Sequence, residues 1–572
     1  MSFTALGEKR RGRRWFLGAS GSAVAAAALA AAGCGGGDSA RPSPAGSKTP
    51  QRGQSPAPTP QPQSRQRGGT LQYTGFVQGD GIADPHRTEA GPFYGQQSMV
   101  YSRLLTFKSQ ATQDLSPDLA TGMPEQADPQ TLTFHLNPGA HWHDSEPVKG
   151  RPVTSDDVKL SISRQQGDTS FPWSAHWDNI DNITTPDDAT ITFHFKSPLA
   201  PMVSYFAGVN AFIVPSEVVS AGFTMSDQVG SGPFTWVDWQ EGKFASVARN
   251  PHWFGGNQRP FLDAAVMTQP HDATEIEAGL RVKQFDAATV ARPQADRLMS
   301  AIPDLKLIEQ GHSLFYGMRF IVTRPPFNDV RVRTALTIAL DRAGMAQRFF
   351  AGSAEPNPWV SWPVTKWALP QAELQSQPGY HTDPAGRAKD IADAKAMLSA
   401  AGTPANLDLR VLDQAENSLQ LGTSIWSQLK VNLGLDITVS PVSLAQLGKG
   451  LIAGGYSWAA APDVGWIDLD DWVFPYFHST GSRNSFALRD ADLDKAIEAQ
   501  RTELDPTKRQ QLGYQVQRQL LALNAGVNFL SEKVLTLSWP YVKAFPTDAS
   551  DGYQDRFADC WLDKDDPSYH GR

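Results

Sequence analysis

Two hydrophobic periods take turns along this chain, and that alternation limits its fold more than any other feature. Leu132, Phe134 and Leu136 alternate with Thr131, Thr133 and His135, and Ile191, Phe193 and Phe195 alternate with polar neighbours. A period of two marks half-buried strands. Between these runs, Thr154-Ser155-Asp156-Asp157 resembles a capping box with Asp157 in the acid position, and Val158 and Ile162 follow one helical turn apart. Val332, Ala335, Leu336, Ala339 and Leu340 form one face of a helix that Asn328 or Asp329 can cap. The stretch from Ala388 to Leu398 repeats the helical period and Gly402 can stop it. Ile425, Trp426, Leu429 and Leu433 give a further helical face broken at Gly434, after which Leu435, Ile437 and Val439 alternate as a strand. Helix-then-strand units predict an α/β body. No repeat of short period is present.

That body follows a leader and a tether. Lys9, Arg10, Arg11, Arg13 and Arg14 precede an Ala-rich apolar run from Trp15 to Ala32, which ends at Ala31-Ala32-Gly33 before Cys34. Basic, apolar, then small is the order of a removable export signal, and Ala is barely apolar enough to anchor a span. Arg13-Arg14 before Trp15-Phe16-Leu17 resembles the twin-arginine export motif, with general secretion as the other route. Ala31-Ala32-Gly33-Cys34 resembles a lipoprotein cleavage box, so Cys34 is expected to be acylated and to hold the protein on the outer face of the cytoplasmic membrane. Residues 35–68 are Gly, Pro, Ser, Gln and Arg with almost no apolar side chain, too few to offset the entropy of ordering, and read as a spacer.

Charge narrows the partners. The net charge is −8, from 51 basic and 59 acidic residues. The leader takes away five basic residues and only Glu8, which leaves 46 basic against 58 acidic and a mature charge of −12. Nucleic acid is therefore not an expected partner. With Cys34 acylated, Cys560 has no disulfide partner and reads as a packed small residue.

Catalytic patterns are missing: there is no G-x-x-x-x-G-K-[ST], H-E-x-x-H or G-x-S-x-G. Gly230-Ser231-Gly232-Pro233 reads as a structural turn. His141 and His143 share one side of an extended segment, half of a metal site at most, and no metal or cofactor is expected. Asp468, Asp470 and Asp471 lack the Gly and the remaining oxygens of a calcium loop and read as a solvated or ligand-facing acidic loop. The 16 tryptophans cluster, notably at Trp359, Trp362 and Trp367 and at Trp458, Trp466 and Trp472. Most read as core or rim.

Six segments in order resemble the extracytoplasmic solute-binding proteins of ABC importers, in the oligopeptide, dipeptide and nickel-binding family (family 5). They are Asp84-Pro85-His86-Arg87-Thr88-Glu89; Tyr101 to Leu105 with Pro117 to Ala120; Leu132 to Asp144; Pro152 to Val158; Val229 to Phe234 with Arg249-Asn250-Pro251 and Trp253; and Pro326 to Asp329 with Val332-Arg333 and Ala339 to Arg342. The chain departs from the family pattern at Ile321, at Lys283-Gln284-Phe285-Asp286 and at Asp470-Asp471-Trp472.

The resemblance implies a two-lobed periplasmic-binding-protein fold of the class II type, with two crossovers and an extra accessory α+β subdomain. Its expected layout is signal peptide 1–33, lipidated Cys and linker 34–68, lobe I 69–100 with 211–314 and 524–572, accessory subdomain 101–210, and lobe II 315–523. It also implies ligand contacts. Gly465-Trp466-Ile467-Asp468 resembles the segment that supplies a carboxylate to a peptide's α-ammonium, which makes Asp468 the first candidate, Asp470 or Asp471 the next, and Trp466 their neighbour. Glu89 matches a position near bound peptide, and Trp359 and Trp362 fall where the family often lines its pocket.

The expected protein is a monomeric binding module, not an enzyme. It would capture a peptide-like solute between its lobes and deliver it to an ABC permease. An oligosaccharide or metal chelate is the alternative ligand, and a periplasmic sensor or chaperone the alternative role.

Overall fold

A computed structural model describes residues 64–571 apart from 89–90, 257, 361–363, 413–415, 444–445, 448–449, 451–454, 465–467 and 547–551. The leader, Cys34 and nearly all of the tether, as well as Glu89, Trp362 and Trp466, lie outside the described residues.

The two periods become the two kinds of element. Thr131–His135 and Thr190–Phe195 are adjacent antiparallel strands with Leu132 opposite Phe193 and Phe134 opposite Ile191. The helix Ser155–Ser163 begins at a capping box made by Thr154 and Asp157. Asp329 caps the helix Val330–Ile338 by accepting from the Arg331 amide. The helix Pro384–Ala401 ends at Gly402, whose φ is +86°, and Glu416–Leu433 is followed by Gly434 at +69°. Glycine suits both positions because a Cβ disfavours that left-handed region.

Among the described residues, eleven strands form one mixed sheet. From one edge it runs Ile437–Val442, Leu407–Leu412, Trp458–Val464, Lys306–Phe320, Gly526–Ser538, Ala287–Thr289, Thr70–Thr74, Ala264–Thr268, Phe244–Arg249 and Phe234–Gln240, with Ala354–Pro356 added beside Gly526–Ser538. A separate four-stranded sheet holds Glu125–Asp128, Thr131–His135, Thr190–Phe195 and Ile180–Asp187.

The apolar interior is divided where the long strands cross. One core takes in residues from Leu71 to Leu305 and again from Leu535 to Leu562, including Leu132, Phe134, Ile191 and Phe193 of the small sheet. The small sheet therefore shares its core with the first body. Two further cores draw on residues between Phe315 and Leu530. The strand Lys306–Phe320 has Leu307 against the first core and Tyr316, Met318 and Phe320 in the second. Gly526–Ser538 does the reverse, with Phe529 and Leu530 in the second core and Leu535 and Leu537 in the first. The chain thus passes twice between two bodies, along paired antiparallel strands.

Glycine at Gly230 and Gly232 is required by close approach. A Cβ at Gly230 would lie 2.1 Å from the Val100 oxygen, and one at Gly232 would lie 2.7 Å from it. The Gly230–Pro233 segment is a packed backbone contact, closed by the Gly232 amide donating to Val100 at 2.7 Å.

Candidate ligand-binding cleft

The acidic stretch expected as a loop is the buried start of a helix, Leu469–Phe477. Asp468 is its N-cap and Asp471 closes a capping box with it, the same device found at Thr154 and Asp157. Trp472, Val473 and Phe477 then enter the third core. The signal in the sequence was the Asp-x-x-Asp spacing ahead of an apolar run. Three adjacent carboxylates hid it, because acids in a row also read as a solvated face.

Each of the three carboxylates has its own partners. Asp468 is 1% exposed and receives both Nη atoms of Arg509, Nη1 at 2.9 Å. Burial acts to raise the Asp468 pKa, but the Arg509 charge and hydrogen bonds outweigh it and hold the carboxyl below its usual range. Asp470 accepts from Gln500 Nε2 at 2.7 Å and from the Tyr205 hydroxyl at 3.0 Å, and Arg501 Nε makes an ion-pair contact at 3.0 Å. Burial pushes the Asp470 pKa up against the opposing pull of Arg501. Asp471 faces His176, Nε2 to Oδ1 at 2.8 Å. Because Asn210 Nδ2 donates to His176 Nδ1 at 3.1 Å, the hydrogen-bond network assigns the ring hydrogen to Nε2, which donates to Asp471.

These partners place the turn on a seam between the two bodies. Tyr205, His176 and Asn210 belong to the first body's polypeptide, whereas Gln500, Arg501 and Arg509 belong to the second. The His176 and Tyr205 rings stack at 4.0 Å with 8° between planes. Around them, the Ala200 amide donates to Arg501 O at 2.7 Å, and Ala111 O accepts from the Lys366 amide at 3.2 Å and from Thr365 Oγ1 at 3.0 Å. The Arg483 guanidinium lies 5.2 Å from the Trp173 ring centroid. The facing surfaces of the bodies are thus tied, among the described residues, by polar contacts around the start of the helix Leu469–Phe477.

Of the expected contact residues, the structure brings Asp468, Asp470 and Trp359 to one neighbourhood around this helix. Trp359 is 5% exposed and packs edge-on against Phe477 at 4.8 Å and Phe486 at 6.3 Å, inside the third core. Glu89, Trp362 and Trp466 fall outside the described residues. His141 and His143 do not form a pair of ligands. His141 Nδ1 contacts Gly139 O at 3.0 Å, and His143 accepts from the Gly230 amide and contacts Gly232 O. Burial brings the His143 pKa down to about 4. Cys560 is fully buried in the first core, where burial pushes its thiol up. The partners that sequence reasoning missed, His176, Tyr205, Arg501 and Arg509, carry no local motif. They are between 31 and 295 positions from the acids they meet, which no local pattern can reveal.

The family described as bacterial extracellular solute-binding proteins, family 5 Middle, matches residues 114–485. The dipeptide-binding protein of Escherichia coli is 26% identical over 356 residues, covering 58% of this chain and 63% of that protein. Heme-binding protein A of Haemophilus influenzae is 27% identical over 455 residues, covering 72% of this chain and 78% of that protein. The alignment spans just under two thirds of the first relative's length. Among solved structures, a DppA from Helicobacter pylori in complex with the peptide STSA superposes with a TM-score of 0.71 at 18% identity, over 87% of this chain and 99% of that one. HbpA2 of Haemophilus parasuis gives 0.72 at 19%, over 86% and 100%. These likenesses establish the two-lobed fold. No helix among the described residues is long and apolar enough to cross a membrane.

Proposed function

The chain belongs to the bacterial extracellular solute-binding proteins of family 5, and we propose that it is the receptor of an ABC importer that closes its two bodies around a peptide-like solute. The observation that carries this reading is mechanical. Two bodies with separate cores are joined by two long paired strands and meet, among the described residues, across a seam that includes side-chain hydrogen bonds. Paired strands can bend as a hinge while side-chain contacts across a cleft form and break. A peptide would be held through its backbone, with its side chains in water-containing pockets.

We assign direct ligand contact to Trp466, Glu89 and Trp362. Asp468 and Asp470 are assigned to holding the helix that follows Trp466, because their carboxylates already have protein partners. A free ammonium would have to displace Arg509 from Asp468 and leave a guanidinium buried without its anion. Trp359 supports the same helix from behind.

A thermal-shift and calorimetric panel of short peptides, oligosaccharides and nickel chelates tests the reading, since a ligand of the native state raises the melting temperature. Stabilisation by a sugar and by no peptide would replace the peptide assignment with the oligosaccharide one. Once a ligand is in hand, Trp466→Ala is expected to weaken it by about tenfold or more. Unchanged affinity removes Trp466 from the site.

We propose further that Cys34 is acylated after signal cleavage and tethers the receptor beside its permease, with 35–68 as the spacer. Cys34→Ser should release the protein into the soluble fraction with ligand binding intact. Replacement of Arg13 and Arg14 by Lys should stop export, and continued export would assign it to general secretion.

A further inference from the structure

The second body contains a cavity of its own, about 440 Å³, between the helices Val330–Ile338, Arg342–Phe350 and Pro506–Leu523 and the 369–380 segment. It lies away from the seam. Arg509, which grips Asp468, is near the start of the helix Pro506–Leu523, whereas the cavity is lined by Arg518, Leu521 and Ala522 near its end. Arg509 and Leu521 are separated by roughly 18 Å along the helix axis at 1.5 Å per residue.

Arg342 is the unusual member of its wall. It is 3% exposed, yet it has no carboxylate in an ion pair among the described residues. Its Nη1 donates to Gly379 O, its Nε is buried without a hydrogen-bond partner, and its guanidinium stands 4.1 Å from the Tyr380 ring centroid and 5.9 Å from that of Phe529. Gly379 admits the guanidinium by having no side chain, since a Cβ there would lie 2.5 Å from Arg342 Nη1. Asp390, whose charge acts on Arg342, is hydrogen-bonded elsewhere, by the Gly379 amide, His381 and Arg387. A buried guanidinium with no carboxylate in direct contact is a costly arrangement that a bound anion would relieve.

The surroundings fit a small anion with an apolar body. Leu369, Leu374, Pro378 and Leu521 supply apolar wall, and the volume falls in the range of small-molecule pockets. Two helices end here, and exposed carbonyls would oppose an anion. Those carbonyls are already occupied: Arg333 donates to Leu523 O and Asn524 O, and Arg387 to Ile338 O and Ala339 O. Glu373, the acid in the wall, is neutralised by Arg518 through contacts of 2.6 and 2.9 Å.

We propose that this cavity is a second ligand site, which takes a small organic carboxylate with an aromatic or branched apolar body, its carboxylate paired with Arg342. The test uses the full mature chain and three probes: phenylacetate, 4-methylpentanoate and phenylacetamide, the neutral isostere of the first. Binding is followed by saturation-transfer NMR and by thermal shift. Both carboxylates should bind saturably, with phenylacetamide weaker by about tenfold or more because the charge-assisted pair is lost. Ala522→Trp, at an exposed wall position that leaves Arg342 untouched, should fill the cavity and abolish binding. Arg342→Met, with folding checked by circular dichroism, should erase the preference for carboxylate over amide. The proposal is overturned by any of three results: no saturable binding of either carboxylate, equal binding of acid and amide, or binding that survives Ala522→Trp.

Discussion

Two regions where the bodies meet are built from different chemistry. At the crossover, Lys306–Phe320 and Gly526–Ser538 are held by a backbone ladder that pairs Lys306 with Ser538 at one end and Arg319 with Gly526 at the other. The ladder is irregular between Gly311 and Phe315 and again between Tyr316 and Gly317. Irregular pairing locally bends and twists a strand, so the middle of the crossover is the place where the bodies can tilt. At the seam, by contrast, side chains do much of the tying: His176 to Asp471, Tyr205 to Asp470. A ladder bends without parting, whereas a handful of side-chain bonds can part together. The difference assigns hinge to one region and latch to the other, within the fold's known capacity for closure.

The largest effect should come from the clamp behind the latch. Arg509→Met leaves Asp468 buried with its charge unpaired, a change that typically costs about 3–5 kcal/mol. Urea denaturation of the mature chain should show a loss of that order. A loss well under about 1 kcal/mol would mean that Asp468 is solvated, and the acidic turn would return to being a free receptor for a cation.

Acid should act on the first body and spare the clamp. Burial lowers His86 and His143 to about 4 from 6.5. Between those values the unfolded chain binds more protons than the folded one, so stability is full above pH 6.5 and falls as pH drops towards 4. Each histidine is worth about 3 kcal/mol over that window. Asp118 works the other way. Burial and the charge of Asp555 raise it to about 7 from 3.8, so its contribution grows as pH falls. The buried carboxyls Asp470, Asp555 and Glu532 are raised as well and act with Asp118, so the histidine effect is isolated by mutation: His143→Gln should reduce the loss between pH 6.5 and 4. The Asp468 carboxyl is held below its usual range, so its pairing with Arg509 is lost only below about pH 4. A pH profile unchanged by His143→Gln would deny this division of labour.

The seam itself is a smaller term. A double-mutant cycle of His176→Ala and Asp471→Ala should give a coupling energy of about 1–2 kcal/mol. Asp471→Ala alone should cost more than His176→Ala, because Asp471 also accepts from the Asp468 amide at 3.2 Å as part of the helix cap. Small-angle scattering of the unliganded double variant should show a larger radius of gyration than the parent. An unchanged radius would show that the latch does not hold the bodies together.

Much of this arrangement can be read in the sequence, and the boundary of legibility is physical. Strands and helices announced themselves where apolar period and cap agreed, as at Thr131–His135, Ser155–Ser163 and Val330–Ile338. These signals are local, within one or two turns. The helix Leu469–Phe477 was missed although its cap used the same spacing, because Pro475 interrupts it and its acids suggested solvent. The latch was out of reach for a different reason. His176 and Asp471 are 295 positions apart, and only the packing of the two bodies brings them to 2.8 Å. A single sequence states which acids are unusual and leaves their partners unnamed. Trp359 illustrates the same limit: its burial against Phe477 has no local trace in the sequence.

The smallest expected effect tests the hinge. The Tyr316 hydroxyl donates to Glu532 Oε2 at 3.1 Å, which links the two crossover strands beside the irregular stretch. Burial raises the Glu532 pKa while this hydrogen bond lowers it. Tyr316→Phe removes the bond and keeps the ring, so stability should fall by about 0.5–1.5 kcal/mol. Scattering should show the same radius of gyration as the parent, because the backbone ladder still holds the bodies. That outcome, set beside the expanded His176→Ala/Asp471→Ala variant, would separate hinge from latch by experiment. If Tyr316→Phe expands the molecule as much as the latch variant does, the crossover is not a ladder that bends without parting, and the contrast between the two regions fails.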